Sequence, residues 1–199
     1  MLSNNQKSLK SSVTLKGVGL HNGINAELKI SPADENSGIN FCRVDLNKDN
    51  LISANYKNVV EPILCTKIKN QNDVTISTVE HLMAAFFGEG IDNALVEIDS
   101  SEVPILDGCA SEFVDAIRSV GLKEQKEFRK FIKVLKKVEV KEGSKYISID
   151  PLDNDLIVDF EIVYSNPLIR TRRKEFKLSE GDLTNIYNSR TFCLYEDID

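Results

Sequence analysis

Apolar and polar positions alternate, or apolar residues gather in short runs, over 26–30, 39–44, 94–99, 131–140, 146–149 and 156–164. A two-residue period sends successive side chains to opposite faces, so these segments are predicted strands. Before residue 170 only two segments carry the helical period. One is 79–87, closed by Gly88 and Gly90; the other is 110–120, where Phe113, Ala116, Ile117 and Val120 recur at helical spacing and Gly121 supplies the stop. Strand runs followed by a helix predict an α+β fold.

The charged stretch LKEQKEFRK, 122–130, interrupts the pattern and reads as a linker. It divides the chain into a first domain over 1–126 and a second over 127–199. The second part repeats strands and then a helix candidate around 179–186, but stops early. An apolar sheet face left without its helical layer is poorly stabilised.

The 199 residues are 41% hydrophobic, enough for a sizeable core. A net charge of −6 supplies no global attraction to nucleic acid or anionic membranes. No run of about 18 apolar residues occurs, and MLSNNQKSLK has no apolar signal core, so stable membrane insertion is not expected and the chain reads as cytoplasmic. Four cysteines, Cys42, Cys65, Cys109 and Cys193, form no C-x-x-C pair and read as small buried residues.

Candidate chemistry concentrates in TVEHLMAAFFGEGIDN, 78–93. Ser77-Thr78-Val79-Glu80 fits a capping box, so Glu80 serves either the helix start or chemistry. Val79, Leu82, Met83 and Phe86 share one stripe, whereas His81 points nearly opposite, among Ala84, Ala85 and Gly88. An imidazole there is either a metal ligand, with the adjacent carboxylate free to take a proton from water, or a hydrogen-bonded groove histidine. H-E-x-x-H is absent because position 85 is alanine. GVGLHNG, 17–23, holds the second histidine, His21, and reads as a tight turn between strands. SSEVPILDGCASEF, 100–113, carries Glu102 and Asp107; they form an acid/base pair or, in the preferred reading, Asp107 caps the next helix. The basic run at 170–174 reads as a solvated loop or as a phosphate contact.

GVGLHNG, ISTVEHLMAAFFGEGIDNALVEI, EVPILDG and SRTF, in this order, closely resemble the UDP-3-O-acyl-N-acetylglucosamine deacetylases, zinc enzymes of lipid A synthesis in Gram-negative bacteria. The resemblance covers essentially the whole chain. It implies two related α+β domains, each a two-layer sandwich of sheet and helices, the second incomplete here. It implies that His81 is a Zn2+ ligand and Glu80 the general base activating metal-bound water. Thr191 matches the hydroxyl that stabilises the oxyanion. Leu64, Cys65 and Phe192 match the apolar wall of the substrate region. Lys145 falls where a lysine meets the nucleotide diphosphate, and Tyr164 stands where the family often has a phenylalanine.

The family's H-K-x-x-D segment, with two further zinc ligands, and a later histidine that acts as general acid are absent; His21 and His81 are the only histidines. A catalytic zinc takes three protein ligands. The resemblance therefore implies an N-terminal portion of a deacetylase, inactive alone, whose partner is a complementary C-terminal chain. The alternative is a non-catalytic remnant or nucleotide-sugar-binding module.

Overall fold

The computed structural model describes residues 4–61, 63–153, 155–181 and 183–192. Cys193 lies outside the described residues. The chain is mostly strand with few helices: β1 Asn5–Leu9, β2 Val13–Val18, β3 Asn25–Pro32, β4 Ile39–Arg43, β5 Leu51–Ser53, β6 Val59–Val60, β7 Lys67–Lys69, β8 Thr75–Ile76, α1 Glu80–Glu89, β9 Ala94–Ile98, α2 Ser111–Val120, β10 Leu122–Phe128, β11 Val138–Glu142, β12 Lys145–Ile149, β13 Ile157–Val163, β14 Thr171–Lys177 and α3 Thr184–Tyr187. Among the described residues no helix is long and apolar enough to cross a membrane.

Two compact units emerge: residues up to 129 together with the segment from 184, and residues 130–183. In the first, five strands run in the order β2-β3-β9-β4-β5, with β4 parallel to β9 and the other pairs antiparallel. The expected alternation holds in β3, where Ala26, Leu28 and Ile30 are buried between exposed Glu27 and Lys29. Leu28 lies opposite Ile98 and Ile30 opposite Val96, so neighbouring strands present one continuous apolar face. Helix α2 buries Phe113, Val114 and Ile117 and packs against α1 and β2. Each such side chain contributes about 1.5–3 kcal/mol on leaving water.

The charged stretch expected as a linker is instead β10, paired antiparallel with β1. Pairing satisfies its backbone without an apolar face. Its Gln125 side chain accepts from Asn93 Nδ2 at 2.7 Å and donates to the Ala33 carbonyl at 2.9 Å, fastening the ribbon to the unit.

In the second unit, β11 pairs with β12 and β13 with β14. The strand expected over 131–140 begins only at Val138, because no ladder forms before it. The basic run expected as a loop lies largely within β14, where Arg173 pairs with Asp159 of β13.

Candidate active site

Helix α1 starts at Glu80 with Val79 as its N-cap and no side-chain cap, so the capping box does not form. Its members are engaged elsewhere. The Ser77 hydroxyl donates to the Ser101 carbonyl at 3.2 Å, and the Thr78 hydroxyl donates to Glu102 Oε1 at 2.8 Å. Glu80 Oε2 accepts the Thr66 N–H at 3.0 Å, which ties the helix start to the segment carrying Leu64 and Cys65. Thr78 holds φ at 59°, a costly left-handed conformation for a β-branched residue. The buried stripe of α1 is Leu82, Ala85 and Phe86. His81 stands outside it, half-buried, and so does Met83, which the helical spacing places in the stripe. Ala85, expected on the histidine's face, belongs to the core instead.

GVGLHNG forms the turn between β2 and β3, as its glycines predict. It wraps the Glu102 carboxylate, which is 1% exposed and accepts the N–H groups of His21 at 3.0 Å and Asn22 at 2.9 Å as well as the Thr78 hydroxyl. A Cβ at position 19 would stand 2.6 Å from Glu102 Oε2 and 2.2 Å from Asn22 Oδ1, which is why glycine occupies it. With both oxygens accepting, Glu102 anchors the turn to the residues preceding α1. Its role was under-read from the sequence, although a glutamate between two serines and Val-Pro was the available signal. A cleft of about 330 Å³ opens beside it, lined by His21, Leu64, Cys65, Lys67, Ser77 and Glu102, among others. A larger recess of about 470 Å³ lies among Asp49, Asn58, Asn70 and neighbouring amides, without any candidate from the motifs.

Asp107 does not cap α2, whose N-cap is Ala110. Its Oδ1 accepts the Cys109 N–H at 3.2 Å, an Asx turn, and its Oδ2 meets Arg190 at 2.6 Å. The Cys109 thiol, 3.1 Å from Oδ1, is the main cause holding the Asp107 carboxyl below its ordinary range, with Arg190 adding to it. Cys109 is buried, but Cys42 and Cys65 are only half-buried, so the uniform expectation for the cysteines fails. Beyond Arg190, the Thr191 N–H donates to the Gly108 carbonyl at 2.9 Å, so the return segment lies against the Asp107-Gly108 turn. Phe192 is exposed.

The structure thus brings Glu80 next to the Leu64–Thr66 segment, places Leu64, Cys65 and His21 around one cleft, and seats Thr191 on the same unit. Lys145 and Tyr164 belong to the unit of 130–183. Lys145 is exposed opposite Glu142, and the Tyr164 N–H faces the Arg170 carbonyl at 3.4 Å.

A sequence profile of the family described as "LpxC: UDP-3-O-acyl N-acetylglycosamine deacetylase" matches residues 6–199. The chain belongs to this family. It is 40% identical over 197 residues to the UDP-3-O-acyl-N-acetylglucosamine deacetylase of Actinobacillus succinogenes, 39% to that of Pasteurella multocida and 41% to that of Pseudoalteromonas atlantica. In each case the match covers 98% of this chain and 64% of the relative. The chain therefore spans less than two thirds of the length of these deacetylases.

The zinc that the resemblance implies can be tested against the donors present. Among the described residues no group of three or more His, Cys, Asp or Glu side chains is arranged to hold a metal ion. The buried carboxylate nearest to the motif, Glu102, already has its acceptors filled. These residues do not fit a complete zinc site.

Proposed function

We propose that this chain supplies the Glu80-His81 wall of a deacetylase that removes acetate from UDP-3-O-acyl-N-acetylglucosamine in lipid A biosynthesis, and that it is inactive alone. The observation that carries this reading is the start of α1. Glu80 is held by the Thr66 N–H beside a His81 that stays out of the core, within a family match along nearly the whole chain. The carboxylate takes a proton from the attacking water, a general-base step that needs hydrogen-bond reach to it. The Thr191 hydroxyl donates to the oxyanion formed at the acetamide carbonyl. Leu64, Cys65 and Phe192 offer apolar surface to the acyl chain, Lys145 a charge for the diphosphate and Tyr164 an aromatic face for the nucleotide. His81 is a ligand to Zn2+ in this reading; the family's other ligands and the acid for the leaving amine come from a complementary C-terminal segment. The architecture that goes with this reading is two related sheet-and-helix sandwich domains divided near residue 126, the second completed by that segment, in a cytoplasmic enzyme.

The test joins this chain to the C-terminal third of the Actinobacillus succinogenes deacetylase and measures acetate release. The joined protein turns over, and Glu80→Gln lowers kcat by about 10²-fold or more. Turnover by residues 1–199 alone, abolished by a chelator, overturns the reading. The second reading, a nucleotide-sugar-binding module without catalysis, is favoured by the absence of a three-donor cluster among the described residues. UDP binding by the chain together with an inactive joined protein supports it.

A further inference from the structure

The segment that carries Thr191 is held to the first unit by a side chain that no motif singled out. Tyr187, in α3, is 6% exposed. It fills a notch made by Gly88: a Cβ at that position would lie 2.1 Å from Tyr187 Oη and 2.6 Å from Cε1. Gly88 stands inside α1, where alanine is the better helix former, so the missing side chain has its physical reason in this contact.

The surrounding charges are arranged on the same phenol. Glu89 ends α1, where a negative charge opposes the helix dipole. It is held there by Arg118 of α2, with Nε to Oε2 at 3.0 Å and Nη2 to Oε1 at 2.7 Å. Tyr187 Oη donates to Glu89 Oε1 at 3.0 Å, and the Arg118 guanidinium sits 5.7 Å from the centre of the ring. The Tyr187 carbonyl accepts the Ala110 N–H at 2.9 Å, just before α2. Four residues later Thr191 meets Gly108, with Arg190 on Asp107 between them.

We propose that Tyr187 is a positioning residue: seated on Gly88 and Glu89, it docks the 184–192 segment onto α1 and α2 and thereby sets where the Thr191 hydroxyl stands. This rests on the reading that Thr191 serves the oxyanion, but the docking itself is measurable without chemistry.

The test is residue-resolved amide exchange on the whole 199-residue chain. Tyr187→Ala, and Gly88→Ala acting from the opposite side of the contact, each speed exchange at the Ala110 and Thr191 amides by about tenfold or more while Leu28 and Val96 stay within about twofold, the pattern of a local opening. Tyr187→Phe, which keeps the ring, restores most of the protection. Unchanged exchange at Thr191 in both alanine variants overturns the proposal. Equal acceleration at Leu28 and Val96 also overturns it, since Tyr187 would then be only a core residue of the unit. Thr191→Val separates the two claims. It leaves Ala110 protected, and full turnover of that variant in the joined enzyme sinks the oxyanion reading while the docking stands.

Discussion

The two units solve burial in opposite ways. In the first, Leu28, Phe41, Leu82, Ile98, Phe113 and Ile117 are fully buried, and even Glu102 is enclosed with its acceptors filled. Among the described residues of 130–183 none is buried. The pattern there is nonetheless that of a layer with one apolar face. Val138 pairs with Ile149 and Val140 with Ile147 on one side of β11-β12, while Glu139, Ser148, Lys141 and Tyr146 share the other. Ile147 is 72% exposed and Val140 62%. An isolated two-stranded hairpin is marginal in water, and apolar patches of this kind call for a cover. Strand pairing alone therefore does not make a core; a second layer does, and the first unit owns its helices whereas among the described residues the hairpins of the second have none packed on them.

The comparison breaks most readily by amide exchange. Amides of β3 and β9 are expected to exchange about 10³-fold more slowly than those of β11–β14, because the former open only with the whole unit and the latter with their own ladders. Equal protection in the two sets contradicts it. Joining the C-terminal third of a relative is expected to slow exchange in β11–β14 and leave β3 and β9 nearly unchanged.

Truncations sharpen the same contrast. Phe113→Ala is expected to cost about 3–5 kcal/mol in urea unfolding, from lost transfer energy and the cavity left behind. Ile147→Ala in the same chain is expected to stay within about 0.5 kcal/mol. A comparable loss at Ile147 means that its face is covered in solution.

Glu102→Ala comes next, at about 2–4 kcal/mol, since it strands the His21 and Asn22 N–H groups and the Thr78 hydroxyl without acceptors. Glu102→Gln costs less, because its amide oxygen still accepts, while its NH2 opposes at least one donor. If both variants unfold at the wild-type urea concentration, the carboxylate is not the anchor between the GVGLHNG turn and α1.

These contrasts also mark how much was legible in the sequence. β3, β9 and α2 stand close to where their periods predicted them, because each is half-buried and its pattern records the buried half. β10 was missed for the converse reason: a ribbon of Lys, Glu and Gln has no apolar period, and it is held by backbone pairing and by Gln125. The His81 side of α1 was readable from 100° steps, but the capping box was not, since Ser77, Thr78 and Glu80 each find partners distant in the chain. The contacts of Glu102 with His21 span 81 residues and that of Tyr187 with Glu89 spans 98, and no local pattern encodes such meetings. Gly88 was read as a helix terminator, yet α1 runs through it to Glu89 and the glycine makes room for a phenol.

The smallest expected effect concerns two carboxylates, one from each unit, that both lie below the ordinary aspartate value of 3.8. Asp159 is lowered chiefly by its hydrogen bond from Arg173 on an open hairpin, a pair exposed to water and screened by salt. Asp107 is lowered first by the Cys109 thiol and further by Arg190, and it links two backbone segments. A depressed folded value means that the Asp107 contribution is complete above pH 3.8 and disappears as pH falls through the lower folded value. Acidification from pH 5 toward 3 is therefore expected to lower the protection of the Thr191 amide, its exchange measured against the intrinsic rate at each pH, by less than about fivefold at low salt, with 0.5 M salt changing this little because the thiol and N–H contacts are short-ranged. Asp107→Asn should show the lower protection already at pH 5 and lose the pH dependence of that protection, whereas Asp159→Asn should leave Thr191 unaffected. A pH response in the Thr191 protection that survives Asp107→Asn would assign the sensitivity to a different carboxylate.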